Sequence, residues 1–209
     1  MKIGIVGATG KQGTLLLLEA IKRGHEVTAL IRNHEKLTQD VPFIEKELYD
    51  LTEKEVAEFD ILVDAFNAPK IMPQLHQTSL RHLAKILKHG TTRLYVVGGA
   101  GSLFVDEEET TRLFETEDFP EAFLPVAKSM FAALEELKAT KATHWTYVSP
   151  AADFDFEGET TDQYTIATNH LTLNSENKSY ISYGDYAKGF LDIIEDTGFD
   201  NEHISIVSK

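Results

Sequence analysis

Three glycines recur at every third position in Gly7-Ala8-Thr9-Gly10-Lys11-Gln12-Gly13. They follow a short apolar run, Lys2 to Val6, and open a segment with helical apolar spacing. The chemistry this spacing permits is the seating of a diphosphate. Gly7 allows a tight turn, Gly10 keeps a Cβ away from an approaching pyrophosphate, and Gly13 lets the helix lie close against the strand. Free main-chain amides and the positive end of the helix dipole then face the charge, with Thr9, Lys11 and Gln12 filling the turn. The alternative is a tight turn that binds nothing. Strand, turn, helix and second strand are all complete by Ile31, which is the context a dinucleotide site requires. The lysine-plus-hydroxyl ending of a nucleoside-triphosphate loop is absent.

The position after the second strand selects the dinucleotide. An acid about 20 residues past the turn binds the 2′-hydroxyl of NAD, whereas an arginine accommodates the 2′-phosphate of NADP. Arg32 stands at that distance, in Ile31-Arg32-Asn33, and Lys11 is a second cation able to reach the same phosphate. The expectation is NADP(H) in preference to NAD(H); the alternative reading of both side chains is ordinary surface charge. The same triplet lacks the acid that a glycine-turn methyltransferase uses for its ribose.

The elements that must position these residues alternate in type. Residues 11–23 read as a helix with Thr14, Leu17, Leu18 and Ile21 on one face and Gly24 as left-handed cap. Strands are expected at 26–31, 61–66, 94–97, 144–148 and 203–207. Residues 75–89 are amphipathic through Leu80, Leu83, Ala84 and Leu87, closed by Gly90. Another helix starts near Pro125, with Ala127, Met130, Phe131 and Leu134 on one face. Residues 151–182 carry short β-like pieces at 164–168 and 170–173, and Ser182-Tyr183-Gly184-Asp185 resembles a capping box before a helix through Asp196. Such alternation predicts an α/β, doubly wound, mainly parallel sheet of Rossmann type. One domain over 1–209 is expected, with the first 150 residues building the sheet and 151–182 forming a small C-terminal lip on the substrate side.

Composition narrows the function classes. The chain has 209 residues, 42% hydrophobic and 26% charged, no cysteine, and a formal net charge of -14. That excess of acid disfavours nucleic acid and anionic lipid as partners. Thiol chemistry is excluded, and the absence of cysteine suits a reducing cytoplasm. Neither a membrane-length apolar run nor a signal-peptide pattern is present. The eight histidines show no metal-ligand spacing. Two segments stay open. Asp106 to Asp118 holds seven acids around Arg112, as a solvated loop or a lid that repels anions. Asp153-Phe154-Asp155-Phe156-Glu157 is either a half-exposed strand or the wall of an aromatic pocket.

With these residues in place the chain resembles the atypical NAD(P)H-binding branch of the short-chain dehydrogenase/reductase superfamily, the neighbourhood of biliverdin reductase B and the NmrA-like proteins. The likeness covers almost the whole chain. It rests on the glycine turn, Arg32, Val96-Val97-Gly98-Gly99-Ala100-Gly101-Ser102, Tyr147-Val148-Ser149-Pro150-Ala151, and Ile181-Ser182-Tyr183-Gly184-Asp185-Tyr186-Ala187. The resemblance implies Asp50 and Leu51 near the adenine, Phe66 and Asn67 along the cofactor, and Gly98 and Gly99 beside the nicotinamide ribose. Bland readings stand beside these: Asp50 as a helix cap, Phe66 as core. Ser102 and Lys128 occupy places the wider superfamily uses for catalysis, but Leu124 stands where a proton-donating tyrosine is usual. Tyr147, Tyr164 and Tyr183 are candidates for a displaced acid. The implied activity is hydride transfer from NADP(H) to a flat flavin, quinone or carbonyl acceptor, by a monomer or homodimer. The alternative is a non-catalytic NADP(H)-binding regulator.

Overall fold

The computed structural model describes residues 1–140, 144–196 and 198–209. In chain order the elements are β1 (Lys2–Val6), α1 (Lys11–Lys22), β2 (Glu26–Ile31), β3 (Phe43–Glu45), α2 (Glu53–Val56), β4 (Ile61–Asp64), α3 (Leu75–Leu87) and β5 (Arg93–Val97). They continue with α4 (Leu124–Ala139), β6 (Trp145–Pro150), β7 (Asp153–Asp155), β8 (Tyr164–Ala167), β9 (Tyr180–Ser182), α5 (Tyr183–Glu195) and β10 (Glu202–Ser208). Eight strands form one sheet in the order β3-β2-β1-β4-β5-β6-β10-β8. All its pairings are parallel except that of β8 with β10, so the fold is the expected doubly wound Rossmann type. The strand order reverses between β2 and β4 on either side of β1, and the ends of these strands are where such sheets bind ligands.

Both faces of the sheet are covered. On one, Leu16, Leu17 and Ala20 of α1 and Tyr186, Ala187, Phe190 and Ile194 of α5 pack over Ile3, Ile5, Val63, Tyr95 and Ile204. On the other, Leu80, Leu83 and Leu87 of α3 and Leu134 and Leu137 of α4 cover Leu62, Leu94, Val96 and Tyr147. The strands are nearly continuous in burial, as parallel strands clothed on both sides must be.

Several elements differ from expectation. The buried face of α1 is Gly13, Leu16, Leu17 and Ala20, while Leu18 and Ile21 are exposed. Four consecutive leucines, Leu15 to Leu18, let the pattern fit either rotation. Gly13 decides it: an added Cβ would lie 2.2 Å from the Gly7 carbonyl oxygen, so this position must face the strand, and 16, 17 and 20 follow at helical spacing. Gly24 takes its left-handed conformation at φ +80, but at the end of α3 it is His89, at φ 75, and not Gly90. Residues 170–173 form no strand; His170 makes a single bridge to Phe104. The tail is not only a lip, since β8 and β10 join the main sheet. Its lip portion is the separate parallel pair β7–β9, which the sequence pattern did not disclose. Half of the capping box is present: Ser182 Oγ accepts the Asp185 amide, whereas the Asp185 carboxylate accepts the amides of Thr161 and Asp162 and ties the lip to α5.

Phe190 is fully buried between Tyr95 and Tyr186. Phe190→Ala is expected to cost about 3–5 kcal/mol in urea unfolding, the range for emptying a buried aromatic site.

Candidate cofactor site

The turn after β1 is built as its glycines require. Gly7 sits at φ +74, and an added Cβ would lie 2.9 Å from the Ala65 carbonyl oxygen at the end of β4. Its amide donates to the Leu30 carbonyl and its carbonyl accepts the Gly10 amide at 2.9 Å. The helix then starts with no side-chain cap at Gly10 and no acid in its first turn. Its leading amides are therefore left without a side-chain partner, against a backbone concavity that a Cβ would fill. These features fit a diphosphate.

A cleft of about 600 Å³ continues from Gly7, Thr9 and Gly10 across the switch point. Arg32, Asn33, Lys36 and Lys46 stand at its β2–β3 side, and Leu51, Phe66 and Asn67 line it further along. Arg32 keeps 70% of its side chain exposed, with Glu47 4.0 Å away. Lys46 is held at 2.6 Å by Glu55. Lys36 and Lys46 went unnoticed in the sequence because the three-residue strand β3, which brings Lys46 beside β2, carries too little pattern to read.

Other expected residues lie elsewhere. Asp50 is exposed outside the cleft lining, and it is not the cap of α2: Thr52 is, in a reciprocal box with Glu55. Lys11 turns away from the cleft, its ammonium 4.0 Å from the centre of the Phe156 ring. Gln12 is buried; its amide nitrogen lies 3.5 Å from the Tyr183 carbonyl, and its Oε1 has no partner. Gly98 and Gly99 pass over the ends of β5 and β6. A Cβ on Gly98 would fall 2.3 Å from the Tyr147 ring, and one on Gly99 would fall 3.0 Å from Met130 Sδ. Ser102 is buried and its hydroxyl donates to the Gly99 carbonyl at 3.0 Å. Ser149 donates to the same oxygen at 2.9 Å and bonds His203 Nε2 at 2.9 Å. Burial drives His203 down to about 3, so it stays neutral and steadies this turn as a fixed dipole. Lys128 is exposed near the start of α4 and Leu124 is its first residue.

The three tyrosines divide. Tyr147 is sealed beneath Gly98, its hydroxyl unpartnered and its pKa raised by burial. Tyr164 bonds Asp192 at 2.5 Å near Arg23. Tyr183 stacks on Phe154 at 3.8 Å between ring centres, so Asp153–Asp155 is a strand that carries an aromatic stack, with Phe156 beyond its end. The acidic segment turns its Arg112 inward. The guanidinium lies 3.3 Å from the Phe104 ring centre and donates to the Ser102 carbonyl at 2.6 Å, anchoring the loop while most of its acids stay in solvent.

The chain belongs to the NAD(P)H-binding family, whose model matches residues 7–197. Its fold is of the atypical short-chain dehydrogenase/reductase type. It is 47% identical to the uncharacterized protein YwnB of Bacillus subtilis (strain 168), over 100% of this chain and 99% of that one. Among solved structures it is similar to SP1627 of Streptococcus pneumoniae TIGR4, provisionally named an NADH-flavin reductase, with 41% identity, full coverage of both chains and a TM-score of 0.96. It is also similar to a provisionally named epimerase of Bacteroides thetaiotaomicron, at 31% identity, 99% and 96% coverage and a TM-score of 0.84. Among the described residues no helix is long and apolar enough to cross a membrane.

Asp64, at the end of β4, is pushed up to about 6 by burial, against which the Phe66 amide pulls down. A carboxyl whose pKa is raised on folding favours the native state while protonated and loses that advantage as pH rises through 6. Asp64→Asn is thus expected to be more stable than the parent at pH 8, by on the order of 2–3 kcal/mol, and no more stable at pH 4. Urea midpoints at the two pH values check this.

Proposed function

We propose that the chain is an oxidoreductase that binds NADP(H) in preference to NAD(H) and reduces a flat small-molecule acceptor of flavin, quinone or carbonyl type. The observation that carries this reading is the cationic wall of Arg32, Lys36 and Lys46 at one end of the cleft whose other end is the uncapped start of α1. On a chain of net charge -14, Arg32, Lys36 and Lys46 keep that wall net positive even with Glu47 beside Arg32 and Glu55 on Lys46, which suits a 2′-phosphate. The resemblance of the whole chain to a protein named for NADH-dependent flavin reduction supports the reaction class, though that name bears the other dinucleotide.

In this reading the amides of Lys11, Gln12 and Gly13 hold the diphosphate, Arg32 holds the 2′-phosphate, and Thr9, Leu51, Phe66 and Asn67 flank the nucleotide. Gly98 and Gly99 border the nicotinamide ribose, with Lys128 as the candidate ribose ligand. Asp50 is left without a part in it. Bound, the dinucleotide supplies a hydride, two electrons and one proton. Ser102 and Ser149 are positioning residues, because both hydroxyls are spent on the Gly99 carbonyl. With Leu124 unable to donate and Tyr147 sealed, the second proton comes from water to the reduced acceptor. The chain contributes orientation and exclusion of water from the hydride path. The proposed setting is the cytoplasm, in keeping with a chain that carries no cysteine. The same lack of a proton-donating side chain favours, as a second reading, a regulator that binds NADP(H) without turnover.

Arg32→Glu is expected to lower the NADPH-to-NADH affinity ratio at least about tenfold, roughly one charge-assisted contact. Titration calorimetry with each nucleotide checks it, and an unchanged ratio removes the NADP assignment. NADPH oxidation should proceed with at least one of FMN, riboflavin, 2-methyl-1,4-naphthoquinone and small aldehydes. Tight NADPH binding with turnover of none selects the regulator.

A further inference from the structure

Lys11 departs most from its expected place. It does not line the cleft that suits the adenosine end; its ammonium faces the Phe156 ring of the lip. Phe156 meets Tyr183 edge-on at 5.4 Å, Tyr183 stacks on Phe154 at 3.8 Å, and Phe154 lies 4.9 Å from Tyr186. The Tyr186 hydroxyl donates to the Val148 carbonyl, which also accepts the Gly98 amide. An aromatic ladder therefore runs from the glycine turn to the loop expected beside the nicotinamide ribose.

Two features of the ladder point to a ligand. Phe156 leaves 45% of its surface in water, although its neighbours in the ladder are buried or half-buried. Gln12, whose amide reaches the Tyr183 carbonyl, keeps a buried Oε1 with no partner beside the same wall. The lip is rich in acids at Asp153, Asp155, Glu157 and Glu159, yet Lys11 faces a ring and not a carboxylate. An ammonium on an aromatic face is weakly held where water reaches it, and an anion at the edge of that face is a better partner.

We propose that Lys11 and Phe156 form the outer subsite for the acceptor and select planar conjugated acceptors that carry an anionic substituent. The acceptor lies along the aromatic wall and its anionic group meets the Lys11 ammonium. This assignment rests on the reductase reading above. It gives Lys11 a part in choosing the acceptor, whereas the sequence alone offered it to the 2′-phosphate.

The test uses the full chain with saturating NADPH and two quinones, 1,4-naphthoquinone-2-sulfonate and the uncharged 2-methyl-1,4-naphthoquinone. For Lys11→Met, the ratio of kcat/KM for the sulfonate to that for the neutral quinone is expected to fall about tenfold or more, through KM. Added salt should weaken the sulfonate reaction of the parent protein more than that of the variant. Phe156→Leu should lower kcat/KM for both quinones. The proposal is overturned if Lys11→Met leaves the ratio unchanged, or if both quinones lose equally in step with a raised Kd for NADPH. The second result would return Lys11 to the dinucleotide. If the parent protein turns over neither quinone, the reductase reading fails by itself only where the flavins and aldehydes are not reduced either. Calorimetric binding of the sulfonate to the NADP-loaded protein then decides the subsite: loss of binding in Lys11→Met supports it, and no binding to the parent, or equal binding to the variant, overturns it.

Discussion

The start of α1 rests on the carbonyl of Gly7 at a distance that excludes a side chain at position 13. Much of the site follows from that approach. It sets the rotation of the helix and aims the leading amides across the end of β1. Gly7 brings the same turn against the end of β4. The proposed diphosphate seat is thereby the junction of the three elements that meet at the switch point of the sheet, so its position depends little on loop conformation.

Around this junction the protein arranges charge against its own average. A chain of net charge -14 places Arg32, Lys36 and Lys46 at one end of the cleft and Lys11 on the opposite side of the glycine turn, while the acids of 106–118 stay mostly in solvent. A local cationic wall on an acidic protein concentrates an anionic ligand where it is needed and repels it elsewhere. The buried polar groups serve a different end. Ser102 and Ser149 converge on one carbonyl, and neutral His203 backs them, so the Gly99 turn is fixed by hydrogen bonds and not by packing alone.

The absence of a tyrosine four residues before Lys128 removes the proton relay of the wider superfamily. Of the three tyrosines that the sequence offers in its place, Tyr147 is sealed and Tyr164 is bonded to Asp192. Tyr183 remains as an aromatic surface. Chemistry that needs only a hydride from the cofactor and a proton from water is consistent with such a site.

The fold class and the tight glycine turn were legible in the residues themselves, because glycine spacing and apolar periodicity are local and each constrains its own segment. Lys2–Val6 and Glu26–Ile31 appear with the ends the sequence suggested, and the core positions of α3 are those its spacing marks. The rotation of α1, the short strand β3, the β7–β9 pair and the entry of β8 and β10 into the sheet were not legible. Each depends on a partner distant in sequence, and runs of three or four residues carry no period of their own. The surroundings of single side chains were decided the same way. Lys11 and Arg32 are both cations near a glycine turn in sequence, but only the packed lip, by placing Phe156 beside one of them, sends the two in different directions. Local spacing determined that a diphosphate could be held here. Long-range packing decided what surrounds it, since a side chain's neighbours are set by the strands and helices that close on it and not by the residues beside it in the chain.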